Sequence, residues 1–282
     1  MDDTTARPGP HDHLWTPWRM RYVGGGAKES GCVFCNRLAA PDDDASLILH
    51  RGRHVFVILN LFPYNSGHLM IVPNAHLASP EDLPPDAAVE MALLLAPTLR
   101  ALRRVLGCAG FNTGLNIGEV AGAGIAAHLH QHVVPRWVGD ANFMPLLAGA
   151  MVMPELIPVT YAKIRAELAR ELAPAPITPR ALVALGDTDL VLVSDMLNGP
   201  ELPILRPDPD EAVWRAFATL LPGVPVELTG WAGGGHADPG APITLAAALP
   251  ADQTFPAGLR PLTRAEAAAT LPADQAAALQ AR

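Results

Sequence analysis

The segment HLHQHVVPRW, residues 128–137, constrains the fold of this chain more than any other stretch. Three of the 10 histidines in the chain stand here at alternate positions, as His128, His130 and His132. A β-strand turns successive side chains to opposite faces, so the alternation predicts a strand with three imidazoles on one face and apolar side chains on the other. Neighbouring imidazoles would then lie roughly 6.5–7 Å apart, close to the spacing of successive phosphoryl groups.

A row of imidazoles admits three interpretations. The first is an edge strand with solvated histidines, and the second is a metal site, because a His-x-His pair on a strand suits zinc. The third is a phosphoryl or nucleotidyl transfer site, because imidazole is substantially unprotonated near pH 7 and acts as a nucleophile or an acid. The third interpretation is the one we favour.

Composition narrows the class of partner. The formal net charge is −8 and the pI is near 5.6, which argues against general nucleic-acid binding but leaves small anionic substrates open. No apolar run approaches the roughly 20 residues that cross a bilayer, and the start, MDDTTARPGPHDHLW, lacks a signal-peptide pattern. From the lack of such a run we expect a protein that does not bind membranes. Three cysteines are too few for a disulfide framework, so we expect a reducing, cytoplasmic location.

The order of elements predicts one compact first domain and a separate second one. Residues 1–13 are polar and we expect them to be flexible, whereas PAPITP, residues 174–179, is typical of a linker to a C-terminal domain at 180–282. Between them the patterns predict a β-hairpin over 54–73, a helix over 86–107, strands over 111–118 and 128–136, and a helix over 154–172. Pro97 should kink the first helix or end it early.

Cys32 and Cys35 have the Cys-x-x-Cys spacing that grips a metal ion from two sides. Alone the pair supplies half a site, and a redox pair or two buried thiols remain alternatives. Cys108 is expected to be a small buried apolar residue.

The histidine stretch resembles the His-x-His-x-His-x-x signature of the histidine-triad (HIT) nucleotide-binding family. NLFPYNSGHLMIVPNAH and GFNTGLNIGEVAGAG are similar to the family's hairpin and to the strand and loop before its triad. The WTPWRMRY opening and the VVPRWVGDANF segment are most similar to the bacterial diadenosine-tetraphosphate phosphorylase branch. Over residues 14–173 the resemblance implies an α+β fold, with an antiparallel sheet of about five strands and two helices, paired as a homodimer.

The resemblance also implies roles for individual residues. His130 would attack the α-phosphate, His132 would hydrogen-bond the phosphate, Asn60 would bind the ribose, and Asn116 would donate to phosphate or hold His130. The catalytic set is then His128, His130, His132 and Asn116, and the nucleotide-binding set is Asn60, Asn116, Gly122, Gly124, Ile125, His130 and His132.

Two positions depart from the family pattern. Many relatives carry glutamine or serine donors where this chain has Gly124 and Ile125. Two side-chain phosphate contacts are therefore missing, which bears on rate and substrate choice. Backbone amides of Gly122 to Ile125 can still cradle an anion.

Zinc-bearing relatives complete the cysteine pair with two histidines. The matching positions are His76 and His128, so the resemblance implies a structural zinc held by Cys32, Cys35, His76 and His128. Four protein ligands leave no open coordination position for water.

The C-terminal third faintly resembles a Nudix hydrolase motif in its order of strand, Glu-Leu-Pro, acidic loop, short helix and glycine. In AVWRAFATLLPG, residues 212–223, Ala216, Thr219 and Leu220 stand where that motif has glutamates. Without carboxylates a hard divalent cation has no ligands, so we expect an inactive remnant or an unrelated small α+β module, dispensable for chemistry.

Taken together, the sequence predicts an enzyme that cleaves dinucleoside polyphosphates through a nucleotidyl-histidine, by phosphorolysis or hydrolysis. Two alternatives stay open. One is a nucleoside phosphoramidate hydrolase or other nucleotidyl transferase, and the other is a zinc-stabilised nucleotide-binding protein with little turnover.

Overall fold

The computed structural model describes residues 29–140, 155–233 and 242–280. The predicted flexible N-terminus at 1–13, the aromatic WTPWRMRY segment and the residues that follow Asp140 lie outside the described residues. None of the helices within the described ranges is both long and apolar enough to span a membrane.

The first half of the chain forms a five-stranded antiparallel sheet with the order β1-β2-β3-β5-β4. Its strands are β1 (Ile48–Arg51), β2 (Val55–Leu59), β3 (Leu69–Pro73), β4 (Gly110–Leu115) and β5 (Gln131–Arg136). Four helices accompany it: α1 (Val33–Ala39), α2 (Asp43–Ser46), α3 (Pro85–Leu106) and α4 (Ile157–Leu172). The predicted α+β class, the hairpin and the two long helices are confirmed.

The hairpin β2–β3 is buried on both faces because each face meets a different cluster. Val57, Leu69 and Ile71 join the core that contains α3 and α4. Phe56 and Met70 turn the other way and pack around Phe34 of α1. The period of two in the sequence therefore separates a helix-covered face from a face that contacts the cysteine-bearing segment.

Helix α3 runs without interruption from Pro85 to Leu106, with Pro97 inside it. Of the two expected effects of Pro97, a kink or an early end, the early end is therefore wrong. Proline lacks the N–H that would bond to the preceding turn, yet Pro97 and its neighbour Thr98 are buried, and this packing offsets the missing bond. The helix ends at Gly107, whose φ of 62° is the left-handed conformation that glycine adopts most easily.

The triad strand is shorter than its sequence pattern predicts. Strand β5 begins at Gln131, so only His132 of the three histidines lies within it. His128 and His130 precede it, where the backbone N–H of Leu129 donates to the carbonyl of Leu77 at 2.6 Å rather than to a neighbouring strand. All three residues of this stretch, His128, Leu129 and His130, are buried.

The C-terminal part forms a second, mixed sheet with the order β11-β7-β6-β10-β9, and β8 pairs with β7. Strands β6 and β10 are parallel, whereas the other pairs are antiparallel. Its elements are β6 (Arg180–Leu185), β7 (Leu190–Met196), β8 (Gly199–Glu201), α5 (Phe217–Leu220), β9 (Glu227–Trp231), β10 (Thr244–Leu249), β11 (Leu259–Thr263), α6 (Arg264–Thr270) and α7 (Ala273–Ala276).

Helix α4 is shared by the two halves. Tyr161 donates from its hydroxyl to the Ile48 carbonyl at 2.8 Å, and Arg165, which donates to the same hydroxyl, lies 4.4 Å from the centre of the Trp231 ring. Glu167 is fully buried and its carboxylate accepts from the Val213 N–H in the C-terminal half. The C-terminal half thus covers one face of α4.

The stretch compared with the Nudix motif has the predicted order of strand, turn, short helix and strand. Its helix is broken into a 3-10 turn at Val213–Ala216 and a single α-turn at Phe217–Leu220. Gly223 has a φ of 74° and turns the chain towards β9. The likeness to that motif stays a prediction.

Candidate active site and metal centre

Two cysteines and two histidines from distant parts of the chain meet in one cluster. Cys32, Cys35, His76 and His128 each offer one ligand atom, and these atoms lie within 4.8 Å of one another. Cys32 caps the N-terminus of α1, whose first turn carries Cys35 to the same side. His76 follows β3 and His128 precedes β5, so the paired strands bring both imidazoles to the cysteine pair.

The cluster fits a tetrahedral ion of the size of zinc. Nδ1 of His128 is 3.3 Å from Sγ of Cys32 and 3.6 Å from Sγ of Cys35, and Nδ1 of His76 is 3.4 Å from Sγ of Cys35. Tetrahedral bonds of about 2.3 Å to sulfur and 2.0 Å to nitrogen would separate S and N ligands by about 3.5 Å. The predicted ligand set is therefore assembled, and it forms a closed Cys2His2 site.

A hydrogen bond from the ring nitrogen that faces away from the cysteines fixes the orientation of His128. Its Nε2–H donates to the Pro73 carbonyl at 2.8 Å, which leaves the lone pair on Nδ1 directed at the cysteines. Metal-binding histidines characteristically donate their second ring N–H to such an acceptor. The pKa of His128 is lowered, chiefly by burial, so the imidazole is neutral and competent as a ligand at pH 7.

His130 is held in the tautomer that a nucleophile needs. Its Nδ1–H donates to the backbone carbonyl of His128 at 2.8 Å, so the lone pair is on Nε2. The side chain is 5% exposed, and burial lowers its pKa even though the carbonyl contact acts in the opposite direction. A neutral imidazole with a fixed tautomer and one accessible edge can attack an electrophile.

Phe34, between the two cysteines in sequence, packs against both adjacent histidines. Its ring centre is 5.4 Å from that of His128 and 5.1 Å from that of His130. The cysteine segment therefore forms a wall of the histidine site and also carries the two thiols of the cluster.

A fourth histidine, which the sequence analysis did not select, belongs to the site. Nε2 of His68 lies 3.0 Å from Nδ1 of His132, and Nδ1 of His68 accepts the backbone N–H of Tyr64 at 3.0 Å. The amide donor fixes the proton of His68 on Nε2, from which it is donated to His132. The same logic leaves the proton of His132 on its own Nε2, and this nitrogen is then a hydrogen-bond donor.

His68 carried a sequence signal that was available. It is a polar residue at the entry of the buried apolar run LMIVP, directly after Gly67. Gly67 has a φ of 74°, and a Cβ there would come within 2.4 Å of Leu106, so only glycine fits the turn. A fully buried histidine after such a turn needs polar partners, and those partners lie in the site.

His130 and His132 lie side by side, with ring centres 4.8 Å apart at an angle of 76°. This separation is shorter than the roughly 6.5–7 Å that an extended strand gives to side chains two residues apart. The two rings incline towards each other, and together they can contact a single phosphoryl group.

The predicted nucleotide-binding residues differ in the contacts that their side chains make. Oδ1 of Asn60 accepts the Phe62 N–H at 3.0 Å, and its Nδ2 is 3.2 Å from Nδ1 of His68, so its side chain closes the turn beside the site. Asn116 directly follows Leu115, the partner of Gln131 in the sheet, and is half-buried without a hydrogen bond from its side chain to any described residue.

The loop before the triad is exposed and turns at glycines. Gly118 and Gly122 have φ values of 80° and 82°. Gly124 is exposed, whereas Ile125 packs against the cluster around Phe34. Ile125 therefore has a packing role at the position where relatives of the resembled family place a polar donor.

Comparisons with known proteins relate this chain to the histidine-triad family. A family model described as the HIT domain matches residues 42–138. A Mycobacterium tuberculosis protein named AP-4-A phosphorylase is 39% identical over 165 residues, covering 56% of this chain and 85% of that protein. An uncharacterized HIT-like protein of Methanocaldococcus jannaschii is 30% identical over 111 residues, covering 39% of this chain and 83% of its own length.

Among solved structures, a zinc-bound histidine triad family protein from Mycobacterium smegmatis is similar, with 28% identity and a TM-score of 0.41. The match covers 50% of this chain and 94% of that one. The region matched by the family model contains His68, His76 and the three alternating histidines, whereas Cys32 and Cys35 precede it.

Proposed function

This chain belongs to the HIT domain family, and we propose that it cleaves dinucleoside polyphosphates, such as diadenosine tetraphosphate, through a nucleotidyl-histidine at His130. The observation that carries the proposal is the fixed tautomer of His130, whose Nδ1–H is donated to the His128 carbonyl so that Nε2 holds the lone pair. The relative named AP-4-A phosphorylase, 39% identical over 165 residues, supports the substrate class.

In the first step, Nε2 of His130 attacks the α-phosphorus of the bound substrate. A P–N bond forms as the bond from phosphorus to the bridging oxygen breaks, and the remaining polyphosphate leaves as the nucleotide. His132, which carries its proton on Nε2, donates to the departing oxygen or to a non-bridging oxygen. His68 stabilises this arrangement through its hydrogen bond to His132.

In the second step, water or inorganic phosphate attacks the phosphoramidate and the P–N bond breaks. Two displacements replace one difficult step, and His130 is regenerated. With diadenosine tetraphosphate, transfer to phosphate yields ADP and ATP, whereas transfer to water yields AMP and ATP.

Four residues would hold a zinc ion in this proposal: Cys32, Cys35, His76 and His128. Such an ion would be structural, since the closed ligand set leaves no position for substrate. It would fix the start of α1 against the segment that carries the catalytic histidines. The remaining roles follow the sequence analysis, with Asn60 and Asn116 contacting the nucleotide and the backbone of Gly122 to Ile125 approaching the phosphates.

A second candidate function is nucleotide binding with little turnover. Gly124 and Ile125 offer no side-chain donor to phosphate, and the Ile125 side chain packs into the cluster around Phe34.

The chemistry would also suit hydrolysis of a nucleoside phosphoramidate, which presents the same P–N bond that the second step opens.

The proposal includes the homodimer and the domain division of the sequence analysis. Strand β4 is an edge of the first sheet, and four of its residues, Asn112 to Leu115, are exposed. An exposed edge strand offers unpaired backbone groups to a second chain. A cytoplasmic location and a first domain spanning 14–173 remain predictions.

One experiment separates these functions. The protein is incubated with diadenosine tetraphosphate, with and without inorganic phosphate, and the released nucleotides are identified by chromatography and mass spectrometry. ADP that requires added phosphate indicates phosphorolysis, and AMP indicates hydrolysis. A rise in melting temperature with nucleotide but no released product would reject the enzyme and support the binding protein.

A further inference from the structure

The loop that precedes β3 is anchored at Asn65. Its Nδ2 donates to the Pro135 carbonyl at 3.0 Å and to Oδ2 of Asp140 at 3.0 Å. Its backbone carbonyl accepts the His68 N–H at 3.0 Å. This one residue therefore ties the loop both to the end of the triad strand and to the start of β3.

Asp140 is itself held in place by Arg136. Nε and Nη2 of Arg136 donate to the two carboxylate oxygens at 2.6 and 2.7 Å, and the Trp137 N–H donates to Oδ2 at 3.0 Å. Nη1 of Arg136 reaches across to Oδ1 of Asn112 on β4 at 2.6 Å. The carboxylate is thus fixed by a paired guanidinium and a backbone amide, a geometry that is strong and directional.

The residue next to Asn65 holds His68 in two ways. The Tyr64 N–H donates to Nδ1 of His68, and the Tyr64 ring stacks on the His68 ring at 4.8 Å with an angle of 20° between planes. The Tyr64 ring centre is also 6.0 Å from that of His132. The position of the loop therefore sets the contacts that orient the His68–His132 pair.

We propose that Asn65, Asp140 and Arg136 form a loop clamp that positions the His68–His132 pair, so that His132 presents a proton on Nε2. This inference rests on the proposed function, in which His132 donates to phosphate oxygens. The three residues are positioning residues, because they act through Tyr64 and His68 and do not contact the reacting atoms.

The position of the loop determines which nitrogen carries the proton in His68 and His132. The Tyr64 N–H faces Nδ1 of His68 only while the loop keeps its place. If the loop moves, the proton of His68 is no longer confined to Nε2, and His132 loses its fixed acceptor role at Nδ1. A displacement of about 1 Å in a positioned group can lower a rate by about 10²-fold.

The clamp permits an exchange experiment. Asn65→Asp places a carboxylate against Asp140, and Asp140→Asn removes the charge that Arg136 binds. The double variant restores one amide and one carboxylate with the positions exchanged. The matched control is Asp195→Asn, which breaks a similar pair with Arg260, at 2.8 and 3.1 Å, in the C-terminal sheet.

We expect each single variant to lose about 10-fold or more in kcat on diadenosine tetraphosphate while KM changes by less than about threefold. The double variant should recover part of the loss, and Asp195→Asn should match the wild type. The 15N imidazole resonances of His68 and His132, assigned with His68→Gln and His132→Gln variants, should show one tautomer in wild type and a mixture in the single variants.

Unchanged tautomers in folded single variants would overturn the clamp. A double variant whose kcat is no higher than that of the single variants would also overturn it. If the wild type had no turnover but its tautomers were fixed and responded to the variants, the proposed function would fail while the clamp stood. Melting temperatures identify any variant that fails to fold. If Asn65→Asp does not fold, the kcat and the tautomers of the isosteric Asp140→Asn variant test the clamp.

Discussion

The imidazole of His130 donates from Nδ1 to the backbone carbonyl of His128 at 2.8 Å. His128 in turn directs Nδ1 at Sγ of Cys32, 3.3 Å away. One residue therefore joins the cysteine–histidine cluster through its side chain and fixes the next imidazole through its backbone. The cysteine–histidine cluster and the proposed nucleophile are parts of one hydrogen-bonded unit.

Replacement of His130 should abolish the proposed chemistry. We expect His130→Ala to lose several orders of magnitude in rate, because the loss of a nucleophile exceeds the 10²–10³-fold typical of losing one charge-stabilising donor. Nucleotide binding should persist, since Asn60 and the glycine loop remain, and His132→Ala should be impaired less. Turnover and nucleotide-induced melting shifts measure these effects, with His54→Ala as a histidine control outside the site.

The intermediate offers a second measurement of the same prediction. Wild type quenched rapidly without acid should carry a nucleotidyl mass on the peptide that contains His130. Turnover by His130→Ala at anything near the wild-type rate would require the mechanism to be abandoned.

The cysteine–histidine cluster should hold one zinc per chain. We expect Cys32→Ser combined with Cys35→Ser to lose the metal, because two histidines alone leave half of the tetrahedral set. Metal analysis by mass spectrometry measures the stoichiometry, and Cys108→Ala is the matched cysteine control. Full zinc content in the double variant would reject these ligands.

His68 should matter for turnover although it lies outside the three alternating histidines. Its replacement by alanine removes the donor to Nδ1 of His132, and we expect kcat to fall about 10–10²-fold, near the lower end for losing one positioned donor. Tyr64→Phe keeps the backbone N–H and the stacked ring, so it should stay within several-fold of wild type. Equal activity of His68→Ala and wild type would remove His68 from the site.

Stability should depend on the ionised Glu171. Burial alone would raise the pKa of this carboxyl, but hydrogen bonds from Arg104 and Arg100 outweigh it and the pKa lies below its ordinary value. A folded-state pKa below the unfolded value, about 4.3 for glutamate, stabilises the fold above that pH and loses this contribution as the pH falls through the folded value. The melting temperature of the Glu171→Gln variant should therefore fall less than that of wild type as the pH is lowered from 5 to 3.

The control for this measurement is Glu29→Gln, since Glu29 pairs with Arg37 at the surface at 3.4 Å. Surface pairs contribute little to stability. Parallel pH profiles for wild type and Glu171→Gln would mean that this carboxylate does not stabilise the fold.

A chain that ends at Ala173 should be less stable than the full protein, even if the C-terminal part is dispensable for chemistry as the sequence predicts. Removal of the second sheet uncovers Arg165 and Glu167, which are 2% and 0% exposed in the full chain. It also exposes apolar side chains of the core that α4 shares with the second sheet, and exposing apolar surface to water costs free energy. Melting temperature and solubility of the truncated chain test this, and a shortened chain as stable as the full protein would contradict it.

Whether the C-terminal half also contributes to chemistry is a separate question from its effect on stability. Trp231→Phe keeps an aromatic ring near Arg165 and should preserve turnover if the second sheet acts only as a support. A large loss of kcat in this folded variant would indicate that the second sheet influences the active site.

Local sequence determined the elements that carry the site. Two uninterrupted apolar runs, VFVIL and LMIVP, with the turn cluster FPYNSG between them, predict the hairpin, because turn residues between two short strand-forming runs are typical of paired strands. The triad and the cysteine spacing likewise identified imidazoles and thiols that the structure brings together, with His76 and His128 joining Cys32 and Cys35. The alternating histidines and the Cys-x-x-Cys spacing depend on neighbours in sequence, so they are recognised before the fold is known, whereas His76 and His128 were added to the cysteine pair by the family resemblance.

Tertiary structure decided what depends on contacts between distant segments. His68 lies 64 residues before His132, and neither its tautomer nor its partner follows from the sequence around it. Pro97 lies within a helix that continues to Leu106, because the packing of the buried Pro97 and its neighbours offsets one missing hydrogen bond. The sequence of helix α4 predicts an amphipathic helix with one face in solvent, yet the second sheet covers that face. The strands that cover it, β9 and β10, lie more than 50 residues further along the chain, so the sequence of the helix alone does not indicate this burial.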